Sequence, residues 1–479
     1  MAEGGRGGLA REGRTLADAH RALLARFAFL EPDFRTWRER LDARLAAPDL
    51  ETLAAERDLD DLAMELRALW LGAVRSHAAG ILKSPPHFRL ARTLDGGRYD
   101  FPYDRWGKPD AFERAYGETL ETADGWSRRH FFFGNAMSAL ATLLLQCRKT
   151  LDKPRISILG HKGYFEILRL MEILAGQDIA ARFTADQTSF NAFLRKGGGD
   201  VVIFEPVYAD ARLSVWDDAP FFAAWRARPN RAATVIAVDT SLVGDRFDMA
   251  AFLARLAPHP PALVVQAVSA LKLHQLGLEF ANMGILSVFA PDNSELFNNA
   301  VHNLRSTRQT LGTGANFEEY YAIEYPMLAG GELFRTHCAR VFDNNARAAR
   351  ALQGTGGLIV RVAHPALGPA RDKPWAVAPV CVLGLREGTG DDKLFLRQVL
   401  QTEARRRGLL FQSGSSFGFR GHRFEMGVSD EPGEATVRLA MGARDGPSAD
   451  GAIALLKEVG AHGSFAALRA AYPDIRLPG

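Results

Sequence analysis

Between Arg155 and Phe289 short β-branched runs alternate with amphipathic stretches, and this alternation constrains the fold more than any other feature of the chain. Strands are predicted over 155–159, 179–183, 201–204, 234–238, 262–268 and 283–289, each of strand length. Helices predicted over 164–174, 220–227 and 249–256 fall between them. Such alternation over roughly 150 residues predicts an α/β fold with a mostly parallel sheet covered by helices on both faces. Ligands of such sheets sit beyond the carboxyl ends of the strands. Gly134, Asp239 and Lys272 lie at or near those ends and become candidates for chemistry.

The flanks differ from this centre. Residues 1 to 14 are rich in Gly and Arg and are predicted to be disordered, whereas 16–79 has helical spacing of Leu, Phe, Ala and Trp, an N-terminal helical arm. A polar and aromatic stretch, Arg98 to Pro109, contains one Gly and two Pro that forbid a continuous helix. A helical run over 293–352 leads to Gly354-Thr355-Gly356-Gly357. Beyond it strands at 358–362, 377–383, 409–412 and 436–441 and helices at 393–407 and 450–459 read as a smaller α+β domain. The expected division is 1–98 (tail and arm), 99–330 (large cofactor-binding domain) and 331–479 (linker helix and small domain).

Composition excludes several classes of function. A net charge of +3 on 479 residues predicts no nucleic-acid role, and Arg405-Arg406-Arg407 reads as a solvated helix end. No run of about eighteen apolar residues predicts a membrane span, and nothing at the N-terminus predicts a secretory signal. The three cysteines lack the paired spacing of a zinc site or a disulfide framework, so no metal is expected and a cytoplasmic setting is.

Lys272, in Ser269-Ala270-Leu271-Lys272, stands at the mouth of two apolar strands. A partly desolvated lysine gives up its ammonium proton more readily and can form an imine with a carbonyl cofactor. Asp239, at the end of another strand, can pair with a pyridine nitrogen and keep it protonated. Gly134-Asn135-Ala136 opens a helix and can present N–H groups to a phosphate, to which Ser269 can add a hydroxyl.

On these residues the chain resembles the pyridoxal-phosphate enzymes of cysteine and methionine metabolism, among them cystathionine γ-synthase, the cystathionine lyases and methionine γ-lyase. The likeness runs from about Tyr99 to about Leu456. The family's tyrosine-serine-arginine-x-glycine-asparagine-proline is matched by Tyr103 to Pro109, and its serine-glycine-x-alanine-alanine turn by Gly134 to Ser138. Its valine-aspartate strand end is matched by Val238-Asp239 and its serine-alanine-threonine-lysine by Ser269 to Lys272. The family's leucine-arginine-leucine-serine-x-glycine resembles Val437 to Gly442, and its serine-leucine-glycine resembles Ser416-Phe417-Gly418.

The resemblance implies a fold-type-I transferase with a seven-stranded, mostly parallel sheet, pyridoxal 5'-phosphate held on Lys272, and Arg438 with Ser416 as the clamp for the carboxylate of an amino acid substrate. It implies a homodimer or homotetramer with shared active sites, in which Tyr103 and Arg105 bind the phosphate of the neighbouring subunit's cofactor. The implied reaction is γ-elimination or γ-replacement. Ordinary cystathionine γ-synthase, γ-lyase or β-lyase chemistry is the alternative, and a binding scaffold of the same fold without catalysis is the alternative from another class.

The chain departs from the family in three places. His161, in His161-Lys162-Gly163-Tyr164, stands where the family has a tyrosine that stacks on the cofactor, with Tyr164 as its competitor for that role. An imidazole can stack and can act as acid or base near neutrality, and it can also be purely structural. Tyr208 replaces an asparagine near the cofactor's phenolic oxygen, and Leu271 replaces a phosphate-binding threonine. Together with the lengthened arm these departures point to a specialised pathway, one that makes an unsaturated, for example alkyne-bearing, amino acid.

Overall fold

The structure, a computed structural model, describes residues 7–84, 86, 103, 109–121, 123–161, 163–176, 178–323, 331–386, 388–428 and 435–477. Three helices lead, α1 (Gly8–Arg26), α2 (Glu31–Ala46) and α3 (Leu53–Ala78). Then come α4 (Asp110–Glu118), β1 (Trp126–Phe133), α5 (Ala136–Thr150), β2 (Ile156–His161), α6 (Phe165–Leu174), β3 (Ile179–Thr184), α7 (Gln187–Arg195) and β4 (Val201–Phe204). They are followed by α8 (Asp218–Ala227), β5 (Val235–Asp239), α9 (Met249–Leu256), β6 (Leu263–Ser269), β7 (Gly284–Pro291), α10 (Glu295–Leu311), α11 (Phe317–Ile323) and α12 (Glu332–Leu352). The chain closes with β8 (Ile359–Ala363), β9 (Cys381–Leu385), α13 (Gly390–Arg406), β10 (Phe411–Ser413), β11 (His422–Val428), β12 (Ala435–Ala440), α14 (Pro447–Gly460) and α15 (Phe465–Ala471).

Seven strands form the large sheet in the order β1-β7-β6-β5-β4-β2-β3, and all pairings are parallel except those of β7 with its two neighbours. Because β7 is antiparallel to both β1 and β6, β1 points the same way as the parallel strands. The carboxyl ends of β1, β2, β4, β5 and β6 therefore share one edge. The middle strands are buried on both faces. In β5, Val235 and Ala237 enter the core that contains Leu140, Leu143 and Leu144 of α5, while Ile236 and Val238 enter the core that contains Phe190, Phe221 and Phe252. That double burial is why these strands read as continuous apolar runs. A second sheet, β10-β11-β12-β9-β8, is mostly antiparallel. One of its faces joins the large-sheet core through Val380, Val382 and Ala440.

Two expectations are corrected and two strands are added. Gly8 to Arg14 are helical rather than disordered, because Leu9 and Glu12 are completely buried. Trp126–Phe133, to which the sequence assigned no element, is a full edge strand. The strand expected at 377–383 begins only at Cys381, since Pro379 has no N–H to give to a ladder. β11 escaped the reading because Arg423 and Glu425 alternate with Phe424 and Met426 in too short a run to stand out.

The arm is fastened to the rest of the chain by charge as well as by apolar packing. The Glu12 carboxylate receives Nε of Arg420 at 2.8 Å and lies 3.7 Å from Nε of Arg444, with all three side chains nearly inaccessible. From α3, Arg67 donates to the carbonyls of Leu278 (2.8 Å) and Glu279 (3.0 Å). The arm thus holds both the loop after Lys272 and the loop before β11. Among the described residues no helix is long and apolar enough to cross a membrane, and the three cysteines are buried and unpaired.

Candidate active site

The common strand edge gathers most of the residues picked out from the sequence. Parallel pairing sets Phe204 beside Val238, so Glu205 and Asp239 leave adjacent strands together, and Asp239 pairs with Ala267, two residues before Ser269. Ser269 and Phe133 both pair with Gly284, which brings the end of β6 to the start of α5. A Cβ on Gly284 would lie 2.3 Å from the Asn135 carbonyl carbon and 2.5 Å from the Ala136 nitrogen. Only glycine lets the helix start settle there. The Asn135 side chain caps α5 by accepting the Ser138 N–H at 2.7 Å, which leaves the N–H groups of Ala136 and Met137 for an anion. Ser269 donates its own N–H to Ser241 Oγ at 2.8 Å.

Lys272 follows one turn later. Its carbonyl accepts from Gln275 (3.1 Å) and Gly277 (2.8 Å), so a tight turn fixes its backbone. Its Nζ stands 5.5 Å from the centre of the Phe417 ring. Burial pulls the ammonium pKa down; Glu279 and Glu166 pull it up, and Arg423 pushes it down again. A lysine in this setting sheds its proton more readily than one in water. Leu271 points elsewhere, into a cleft of about 400 Å³ between α3 and the loop that carries Glu279.

Asp239 accepts the Ser241 N–H at 2.9 Å, and burial pushes its carboxyl pKa up. Its neighbour Glu205 is pushed up to about 8, first by burial and then by the Asp239 charge, although it accepts N–H groups from Tyr164 (2.6 Å) and Ala209 (3.0 Å). Two carboxylates so placed cannot both stay ionised at little cost, and the pair shares a raised proton affinity. Sequence reading missed Glu205, although it follows β4 as directly as Asp239 ends β5.

His161 ends β2 and is buried, with Nδ1 3.1 Å from the Thr184 carbonyl oxygen. That contact makes Nδ1 a protonated ring nitrogen. Its ring meets Tyr208 edge to face, with centroids 4.3 Å apart. The Tyr208 hydroxyl is buried and has no hydrogen-bond partner among the described residues. Tyr164 starts α6; burial, then the charge of Glu166, pushes its phenol up to about 12. Arg438 of β12 opposes the shift.

Arg438 stands opposite Glu425 on β11, with Nη1 and Oε2 4.0 Å apart. Ser416 lies in the loop before β11 with φ at +73°, a left-handed backbone that a serine adopts at a cost. Gly418 follows at φ +79°, where a Cβ would press on Leu273 and on Lys272 Cβ. His337 donates Nε2–H to the Gly418 carbonyl at 2.9 Å and fixes this loop. Tyr103 has 48% of its side chain exposed, and Arg105 and Lys162 lie outside the described residues.

The donor set fits pyridoxal phosphate. A half-buried lysine, a buried aspartate at a strand end, a helix start with free N–H groups beside Ser269, and a buried phenol at Tyr208 with no partner among the described residues share one edge. These are the partners that an imine carbon, a pyridine nitrogen, a phosphate and a ring oxygen need.

No protein-family model and no curated protein sequence matches the chain. Solved structures do. An apo methionine γ-lyase from Micromonospora echinospora superposes with a TM-score of 0.55 at 17% identity, covering 82% of this chain and 98% of that one. Cystathionine γ-synthase from Xanthomonas oryzae pv. oryzae, solved in complex with cystathionine, gives 0.56 at 18% identity, covering 85% and 98%. A structure described as a cystathionine γ-lyase from M. echinospora gives 0.53 at 17%, covering 81% and 98%. By its architecture the chain is an α/β protein with the fold of these γ-lyase and γ-synthase structures.

Proposed function

We propose that this protein binds pyridoxal 5'-phosphate on Lys272 and acts on an L-amino acid with a leaving group at Cγ, by γ-elimination or γ-replacement. The observation that carries the reading is the meeting of Lys272, Asp239 and the α5 start with Ser269 at one sheet edge, in a fold shared with methionine γ-lyase and cystathionine γ-synthase. The cofactor, when bound, supplies an electron sink for charge developing at the substrate's α-carbon.

The chain's own residues do the rest. Asp239, at the strand end beside Glu205, pairs with a pyridine nitrogen and keeps it protonated. Tyr208 donates to the ring oxygen, and His161 packs the phenol into place. Arg438 and Ser416 hold the substrate carboxylate, so that the Cα–H bond faces the amine of Lys272, which burial frees of its proton more readily. Tyr164, kept protonated by burial and the charge of Glu166, stands on the substrate side as a proton donor to a departing group. Tyr103, half exposed on its own chain, and Arg105 serve the phosphate site of a second copy, which makes the active form a homodimer or a doubled dimer.

Two measurements test the reading. Borohydride reduction followed by peptide mass spectrometry should place the cofactor on Lys272, and a colourless protein that takes up no cofactor would sink the proposal. Incubation of candidate amino acids in deuterated water should place deuterium at Cβ of the product. Label at Cα alone would remove the γ-chemistry, and an alkyne in the product would identify the specialised pathway.

A further inference from the structure

Arg438 has a companion. Antiparallel register sets Arg438 opposite Glu425 and Arg423 opposite Ala440, so these four residues share one face of β11 and β12. The two arginines occupy diagonal positions, whose Cβ atoms are roughly 7–8 Å apart. The other face carries Phe424, Val437 and Leu439 into the small-sheet core. Three observations aim the arginine face at the site: Ala440 joins the large-sheet core, Arg438 acts on Tyr164, and Arg423 acts on Lys272.

The two guanidinium groups are partnered differently. Arg438 has Glu425 at 4.0 Å. Arg423 has no carboxylate within that distance among the described residues. Its guanidinium carbon lies 3.4 Å from the centre of the Phe419 ring, and Nη1 donates to the Ser415 carbonyl at 3.4 Å, the long limit of a hydrogen bond. The loop that supplies the carbonyl continues through the left-handed Ser416 to Phe417, whose ring faces Lys272 Nζ. A half-buried guanidinium with a ring on one side and a single weak acceptor has its bidentate fork largely unused. Such a group gains by taking an oxyanion, because burial penalises an unpaired charge and the fork matches carboxylate and phosphate geometry.

We propose that Arg423 is a specificity residue that binds a second, distal oxyanion of the substrate, while Arg438 holds the α-carboxylate. The assignment rests on the functional reading above, since it takes the substrate to span the space between Lys272 and the small sheet. A monoanionic amino acid would leave Arg423 unpaired. A substrate with a carboxylate or a phosphate ester beyond Cγ would satisfy both arginines.

The test uses the full-length protein, with and without added pyridoxal phosphate, and calorimetric titration with glutarate, 3-phosphonopropionate and butyrate. Wild-type protein should bind one of the two dianions at least about tenfold more tightly than butyrate. The preferred dianion distinguishes a carboxylate from a phosphate as the natural group. Arg423→Gln should lose about tenfold or more on the dianion and less than about twofold on butyrate, whereas Arg438→Gln should weaken both. Each comparison is a ratio within one variant, so a partly misfolded sample does not distort it. Arg423→Lys, which keeps the charge, should retain part of the preference. Equal losses on dianion and monoanion in Arg423→Gln, or no loss on either, would overturn the assignment. If the dianion preference survives but no cofactor loads, the functional reading falls and the anion site stands. If the cofactor loads and no preference exists, the reverse holds.

Discussion

The carboxyl edge of the large sheet and the arginine face of the small sheet confront each other across Lys272, and they are built on opposite principles. The large-sheet side consists of strand ends and one helix start, each fixed by its own few residues of chain. Its charges are buried and negative, and burial together with like-charge repulsion tunes the pair Glu205 and Asp239. On the small-sheet side the charges are mostly positive, half exposed and set by cross-strand register. The first side suits a fixed ring system that does not leave, and the second suits anionic groups that come and go. Burial makes the difference, because it turns modest changes in proximity into large shifts in proton affinity, whereas a half-exposed arginine stays charged and discriminates by fit.

The comparison can be broken most sharply at Lys272. Lys272→Ala should lower turnover by about 10³-fold or more and abolish the reducible cofactor adduct, as loss of a covalent anchor does. Arg438→Gln should leave that adduct in place and raise KM. If both substitutions abolished the adduct, the division of labour between the two sides would be wrong.

Glu12→Ala probes what holds the two sides together. It would strand Arg420 as a buried charge and leave Arg444 with Asp60 alone, and breaking a buried pair costs about 3–5 kcal/mol. A lowered denaturant midpoint would show it, and an unchanged midpoint would mean that apolar contacts alone seat the arm.

Gly284→Ala drives a methyl into the backbone at Asn135 and should cost about 1–3 kcal/mol, with weaker cofactor retention in dialysis. Gly134→Ala, whose nearest contact would be 3.6 Å away, should be tolerated far better. Equal behaviour of the two would remove the close approach of α5 as a requirement of the site.

Glu205→Gln acts on the pH dependence of stability. The folded pKa of Glu205 is raised to about 8, so its contribution to stability is fully present below its unfolded value and is lost as pH rises through about 8. Thermal melting of the wild type should therefore decline with pH in that window, and the variant should flatten the decline by roughly 1–3 kcal/mol. A variant with the wild-type slope would show that Glu205 does not hold the proton.

The large-sheet side was the more legible in the sequence. Asp239, Ser269 and Gly134 were found because a strand end is a local signal, and Lys272 because two apolar runs frame it. Glu205 has the same local signal and was passed over, since nothing within its own segment reveals that Asp239 lies beside it. The equivalence of Arg423 and Arg438 was invisible for a similar reason: β11 is short and polar on alternate positions, and the register that puts both arginines on one face exists only once the strands pair. The helical state of Gly8 to Arg14 depends on Arg420 and Arg444, more than four hundred residues away.

The sequence by itself determined the layer architecture, the positions of the strand ends and the lysine at their mouth, because hydrophobic period and turn chemistry act over a few residues. The tertiary structure decided which carboxylates lie side by side, which arginine has no acid beside it among the described residues, and how the arm clamps the loops beside Lys272. Coulomb interaction and desolvation depend on distance through space, and the groups that matter here are brought together from all parts of the chain.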